Sequence, residues 1–178
     1  MIKSIILSTI VELEKQLPND IELGTNVRKF LYNIEKQKYY RKEYTDEYIT
    51  KLKENEIFIF GSNSLGEHRG GSAKTAFENF GAIWGQAKGL QGSSYGIVTI
   101  DLPSELNVKN KISLGNITLQ IIELYKFANE NKHLTFYMTK IGTLRAGFTT
   151  ENISAIFSIL GEVPKNIVLP KEFVNLSK

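Results

Sequence analysis

The chain has 178 residues, 42% of them apolar, a net charge of +3 and no cysteine. That length supports one well-buried core, or a core of about 120 residues with an appendage, and the missing cysteines exclude disulfides, thiolate zinc sites and thiol catalysis. No apolar run nears the ~20 residues of a membrane span, Glu12, Glu14 and Lys15 break up a signal-peptide-like start, and the mixed charge lacks the basic stripe of a dedicated nucleic-acid binder; a cytoplasmic protein with no membrane contact is expected.

Ile2, Ile6, Ile10, Leu13 and Leu17 recur at helical spacing and predict an amphipathic helix from about Ser4 to Leu17, ending before Pro18. A second helix is expected from Thr25 to about Tyr40, buried along Val27, Phe30, Leu31 and Ile34. A short third would start at Thr45 and use Tyr48, Ile49 and Leu52. Together they read as an N-terminal helical lobe over residues 1–54, ahead of an α/β domain over 55–178. Lys36, Lys38, Arg41 and Lys42 surround Tyr39 and Tyr40. That segment is either a surface for a partner or a solvated helix end whose cations complement the helix dipole.

From Glu56 the texture changes to short apolar runs separated by glycine. Ile57 to Phe60 is apolar throughout, as in a strand buried on both faces. A polar, glycine-rich stretch follows from Gly61, Ser62 and Asn63 to Gly70, Gly71 and Ser72. Ala73, Ala76, Phe77 and Phe80 then mark one stripe of a helix, with Gly81 placed to end it. Tyr95–Ile100 predicts a strand closed by Asp101 and Pro103, and a helix is expected over 116–130 from Ile117, Ile121, Leu124, Tyr125 and Ala128. Leu134–Thr139 reads as the next strand, followed by a second glycine loop, Gly142, Thr143, Leu144, Arg145, Ala146, Gly147 and Phe148. Thr150 would cap a helix buried along Ile153, Ile156, Phe157 and Leu160, before a last strand at Ile167–Leu169.

Alternating strands and helices imply an α/β/α sandwich around a mixed, mostly parallel sheet. In such sheets ligands bind at the carboxyl ends of strands, where both glycine loops fall. A strand, glycine loop and helix in succession aim backbone N–H groups at an anion. A P-loop is excluded because Ser72 and Ala73 separate Gly71 from Lys74, and G-x-G-x-x-G is absent around Gly61.

The pattern FGSN-x-x-G-x-H-x-G-G-x-A-K-x-A, with GAIWGQAKGLQGSSYGI after it, resembles the macrodomain family. It is most similar to a group of macrodomain-like bacterial and phage proteins, some of them described as phage antirepressors; the likeness covers about residues 56–173. The resemblance implies binding of ADP-ribose or a related nucleotide, and in some members hydrolysis of an ADP-ribosyl bond. It implies that Asn63 holds the distal ribose, that Gly70, Gly71 and Ser72 contact the diphosphate with Gly61 and Ser62 also among the ligand-binding residues, and that Gly142, Thr143, Arg145, Ala146, Gly147 and Phe148 close over it from the other side.

Read as side chains, these residues keep alternatives. Asn63 is either a turn residue or a ribose contact, with catalysis open to it. His68 is a general base or an ordinary loop histidine. Arg145 pairs with a phosphate or with solvent. Asp101 activates water or marks a turn, and Gln91–Ser94 rims the cleft or merely connects. His68 and His133 lack metal-binding spacing, and neither metal nor cofactor is expected. The other functional class is an interaction protein of the antirepressor kind, gripping a protein partner through the helical lobe; nucleic acid is the lesser candidate there.

Overall fold

The computed structural model describes residues 43–102 and 110–174, together with Gly24, Thr25 and Val27, which are helical. The chain falls into two compact units, residues 1–42 and 43–178. Apart from those three residues, the two expected N-terminal helices lie outside the described residues, as does the segment Lys36–Lys42. The third helix is not formed. Thr45 instead makes a parallel bridge to Pro170, and the chain from Tyr48 to Lys53 has no regular structure.

Strand β1, Glu56–Asn63, lies at the centre of a mixed sheet. The other strands are β2, Gly89–Gln91; β3, Ser94–Asp101; β4, Asn110–Lys111; β5, Thr135–Met138; and β6, Ile167–Val168. Their order is β2-β3-β1-β5-β6, with β4 paired to the far end of β3. The β1–β3, β1–β5 and β5–β6 pairs are parallel, and β2 and β4 run antiparallel to β3. Phe58 lies opposite Ser94 on one side and Tyr137 on the other. β1 runs three residues beyond its apolar stretch, so Gly61, Ser62 and Asn63 are strand residues still paired with β3.

Successive side chains of β1 enter different cores, as strand pleating requires. Ile57 and Ile59 pack against helices α2, Leu114–Glu130, and α3, Thr150–Leu160. Phe58 and Phe60 pack against helix α1, Gly71–Asn79, with Ile49 and Leu52 laid alongside. A one-turn helix α4, Lys171–Val174, adds Phe173 to the first core. Helices thus cover both faces of the sheet. Of the stripe expected on α1, Ala73, Ala76 and Phe80 are buried and Phe77 is 43% exposed.

Helices α2 and α3 begin on side-chain caps. Ser113 accepts from the Asn116 N–H, and Thr149, one residue before the expected cap, forms a reciprocal capping box with Asn152. Because Ile59 is fully buried at the sheet centre, Ile59→Ala is expected to cost about 3–4 kcal/mol in urea denaturation, within the range for buried aliphatic truncations. A loss below about 1 kcal/mol would contradict this packing.

Candidate functional site

Because β1 and β5 are parallel neighbours, the chain leaves both at the same end of the sheet. The loop after β1 (residues 64–70) and the loop after β5 (residues 139–149) are thereby brought together. The closest approaches are backbone to backbone and backbone to side chain. A Cβ added to Gly61 would stand 3.7 Å from the Gly142 nitrogen; one added to Gly70 would stand 2.5 and 2.7 Å from the two Nη atoms of Arg145. Gly70 has φ −174°, which any residue adopts. A side chain there would have to push aside the Arg145 guanidinium that lies on it. Gly71, at φ +62°, is the case where the backbone itself favours glycine.

The second loop divides into anchors and a tip. Ile141, Ala146 and Phe148 are buried in the larger core, and the Phe148 N–H donates to the Gly142 carbonyl, closing the loop. Gly142, at φ +74°, has Ile153 and Phe148 against it where a Cβ would go. Thr143 turns back to donate from Oγ1 to the Lys140 carbonyl. Leu144 and Arg145 are left projecting, Leu144 at 87% exposure, and Gly147 is exposed at φ +71°. Ala146 and Phe148 therefore hold the loop in place and do not close over a ligand.

The Arg145 guanidinium meets the start of helix α1. Gly70 supplies no side-chain cap, and the first turn holds no acidic residue. The Gly71, Ser72 and Ala73 N–H groups find no acceptor among the described residues, and Arg145 has no ion pair or hydrogen bond among them. A cation thus rests on the positive end of a helix dipole with no negative group between them, an arrangement that disfavours both. An anion seated there would satisfy the free N–H donors and pair with the guanidinium.

The first loop is built by side chains for which both chemistry and scaffolding were open readings, and the structure uses them as scaffold. Asn63 Oδ1 accepts from the Leu65 and Glu67 N–H groups at 3.1 and 3.0 Å, and Nδ2 donates to the Glu67 carbonyl at 2.6 Å. It is the turn residue, with both ends of its amide committed. Ser62 is buried, and its carbonyl accepts from the Thr99 hydroxyl. His68 is 1% exposed and donates from Nε2 to the Ile83 carbonyl at 3.0 Å, its ring edge-on to Phe60. Walled in by aromatic rings, it has no access to a substrate. The Gly85 N–H also donates to the Gly66 carbonyl, so the whole loop is fastened to residues 82–86.

Gln91 anchors that second segment, accepting from the Ile83 N–H and donating to the Gln86 carbonyl. With Gly92–Ser94 it lies at the amino end of β3, away from the cleft. Asp101 ends β3 beside the first loop, where the Leu102 N–H donates to the Ser64 hydroxyl. Sequence reasoning missed Ile83–Gln86 as a scaffold; its signal was the Gly-Ala-Ile-Trp-Gly run that reads as a plain connector.

No family model, curated protein or solved structure matches this chain.

A cavity of about 180 Å³ opens at the same end of the sheet, lined by Thr45, Glu47, Thr139, Lys140 and Glu172 among others. Lys140 Nζ lies 2.7 Å from Glu172 and 3.8 Å from Glu47. The hydrogen bond between Lys140 and Glu172 lowers the carboxyl pKa and raises that of the lysine. For Glu172 the resulting stabilisation is full above the unfolded carboxylate pKa and is lost as pH falls through the folded value. For Lys140 it is full below the unfolded lysine pKa and is lost as pH rises through the folded one. Glu172→Gln is expected to flatten both limbs of a Tm-against-pH profile. The neutral-pH loss should be only about 0.5 kcal/mol, because 36% and 46% of the two side chains is exposed.

Asn63→Ala removes three loop hydrogen bonds. It is expected to lower stability by about 1–3 kcal/mol, measured by thermal melting. An unchanged Tm would show that the loop is held otherwise.

Proposed function

We propose that the cleft between the two glycine loops binds the phosphate groups of an ADP-ribose-type nucleotide. The observation that carries this reading is the unpaired Arg145 guanidinium lying against Gly70 at the uncapped start of α1. Two positive groups converge there with free N–H donors and, among the described residues, no counter-charge. A phosphate answers that need better than a carboxylate, since it accepts from the guanidinium and from the helix start through different oxygens. The likeness of FGSN-x-x-G-x-H-x-G-G to macrodomain-like proteins supports ADP-ribose as the ligand class. The helix-covered, mostly parallel sheet is compatible with that likeness.

The reading is of a binding module. Its two former candidates for catalysis are occupied elsewhere: Asn63 by the loop backbone, and His68 by Ile83 and its aromatic cage.

Calorimetry with ADP-ribose and with pyrophosphate tests it. Both should bind, more weakly as salt is raised. Arg145→Ala should lose about ten- to a hundredfold in affinity for each, the worth of a charge-assisted hydrogen-bond pair, with little change in Tm because the side chain is exposed. Gly70→Ala should weaken binding by displacing the guanidinium while its extended backbone is kept. The proposal fails if neither ligand gives heat at millimolar concentration, or if Arg145→Ala binds as the parent does.

A further inference from the structure

We infer that Trp84 is a stacking platform for the base of the nucleotide whose phosphates lie at Gly70 and Arg145. The inference rests on the phosphate reading and extends it to the other end of the ligand. Trp84 and Phe77 are 48% and 43% exposed, and their rings meet edge to face at 5.9 Å. Ile83 beside them is 54% exposed. Together they leave apolar ring faces open to solvent beside the first loop.

Three restraints hold the indole where it is. Arg69 Cζ lies 5.3 Å from its ring centroid, the His68 ring is edge-on at 6.5 Å, and the Gly85–Gly66 hydrogen bond fixes the neighbouring backbone. Arg69 is itself fixed by a two-point contact with Glu67, at 2.8 and 3.1 Å. That pairing lowers the Glu67 pKa and raises that of Arg69. An exposed aromatic ring held by neighbours on this scale is ordered before any ligand arrives, so stacking on it costs little conformational entropy.

The occupant is identified by connectivity. Arg69 directly precedes Gly70, so the side chain whose Cζ lies 5.3 Å from the indole centroid springs from the residue next to the phosphate cradle. A base joined to a phosphate at Gly70 through a sugar would extend past Arg69 toward the ring. A planar nucleobase suits a half-open indole flanked by a guanidinium better than a sugar does, because each base offers a π-face to stack. Base stacking of this type carries little preference among bases, so Trp84 supplies affinity and not base identity.

Trp84 is the chain's single tryptophan, so its emission reports this event alone. The full chain is titrated with ADP, ribose 5-phosphate and pyrophosphate, excited at the red edge of indole absorption, with calorimetry alongside. ADP should quench the emission, and the two ligands without a base should bind without quenching. Trp84→Leu should weaken ADP about tenfold and leave pyrophosphate within twofold. Trp84→Phe should restore ADP binding to within about threefold, which separates stacking from a folding defect. If pyrophosphate binds but ADP gains nothing over it, or if Trp84→Leu holds ADP unchanged, the platform is overturned and the phosphate site stands. If pyrophosphate also fails to bind, both readings fall together.

Discussion

Everything in the α/β unit depends on one strand being apolar on both sides. β1 sends Ile57 and Ile59 into one core and Phe58 and Phe60 into the other, and among the described elements it alone has neighbours on both edges and belongs to both cores. A strand so placed has no solvent face, and its register is tightly specified, since a slip by one residue would exchange the two sets. The same constraint decides where ligands can go. With β5 parallel to β1 and adjacent to it, the two glycine loops emerge as neighbours. No long-range side-chain recognition is needed to bring residue 61 against residue 142.

The cleft shows a division of labour between glycines and polar side chains. Glycines leave room where chain segments crowd: Gly66 against Gly85 and Gln86, Gly142 against Ile153 and Phe148, and Gly70 under Arg145. Polar side chains in the same stretch make the loops rigid. Asn63 and Gln91 spend both ends of their amides, and His68 its Nε2, on backbone groups, each replacing a ladder bond that an irregular segment lacks. His68 Nδ1 is buried without a partner, which is the cost of seating an imidazole among aromatic rings. What remains outward-facing is Arg145, its charge uncompensated among the described residues.

Much of the architecture was legible in local pattern. The apolar run 57–60 predicted a doubly buried strand, and the 3.6-residue stripes of α2 and α3 located both helices to within a few residues. Gly81, at φ +73°, ends the α1 segment as expected. The failures have physical causes. Tyr48, Ile49 and Leu52 mimic a helical stripe, yet Tyr48 is 81% exposed and the other two pack against the smaller core from a segment without regular structure. β2 and β4 span three and two residues, too short to show any periodicity. The fates of Asn63 and His68 were illegible for a different reason. Their residue types suit chemistry and scaffolding equally, and the partner that decides for His68 is Ile83, fifteen positions away.

The bridge at Thr45 has an implication for how this unit behaves as a separate object. Strand β6 is the last in the sheet, and its outer edge would otherwise present main-chain groups to any passing strand. Thr45 occupies that edge: its N–H donates to the Leu169 carbonyl and its hydroxyl to that of Val168. A few residues of coil thus act as a guard rail against self-association. Boundaries drawn to isolate the sheet should start upstream of Glu43, because trimming to Glu56 would strip the guard and leave a sticky rim.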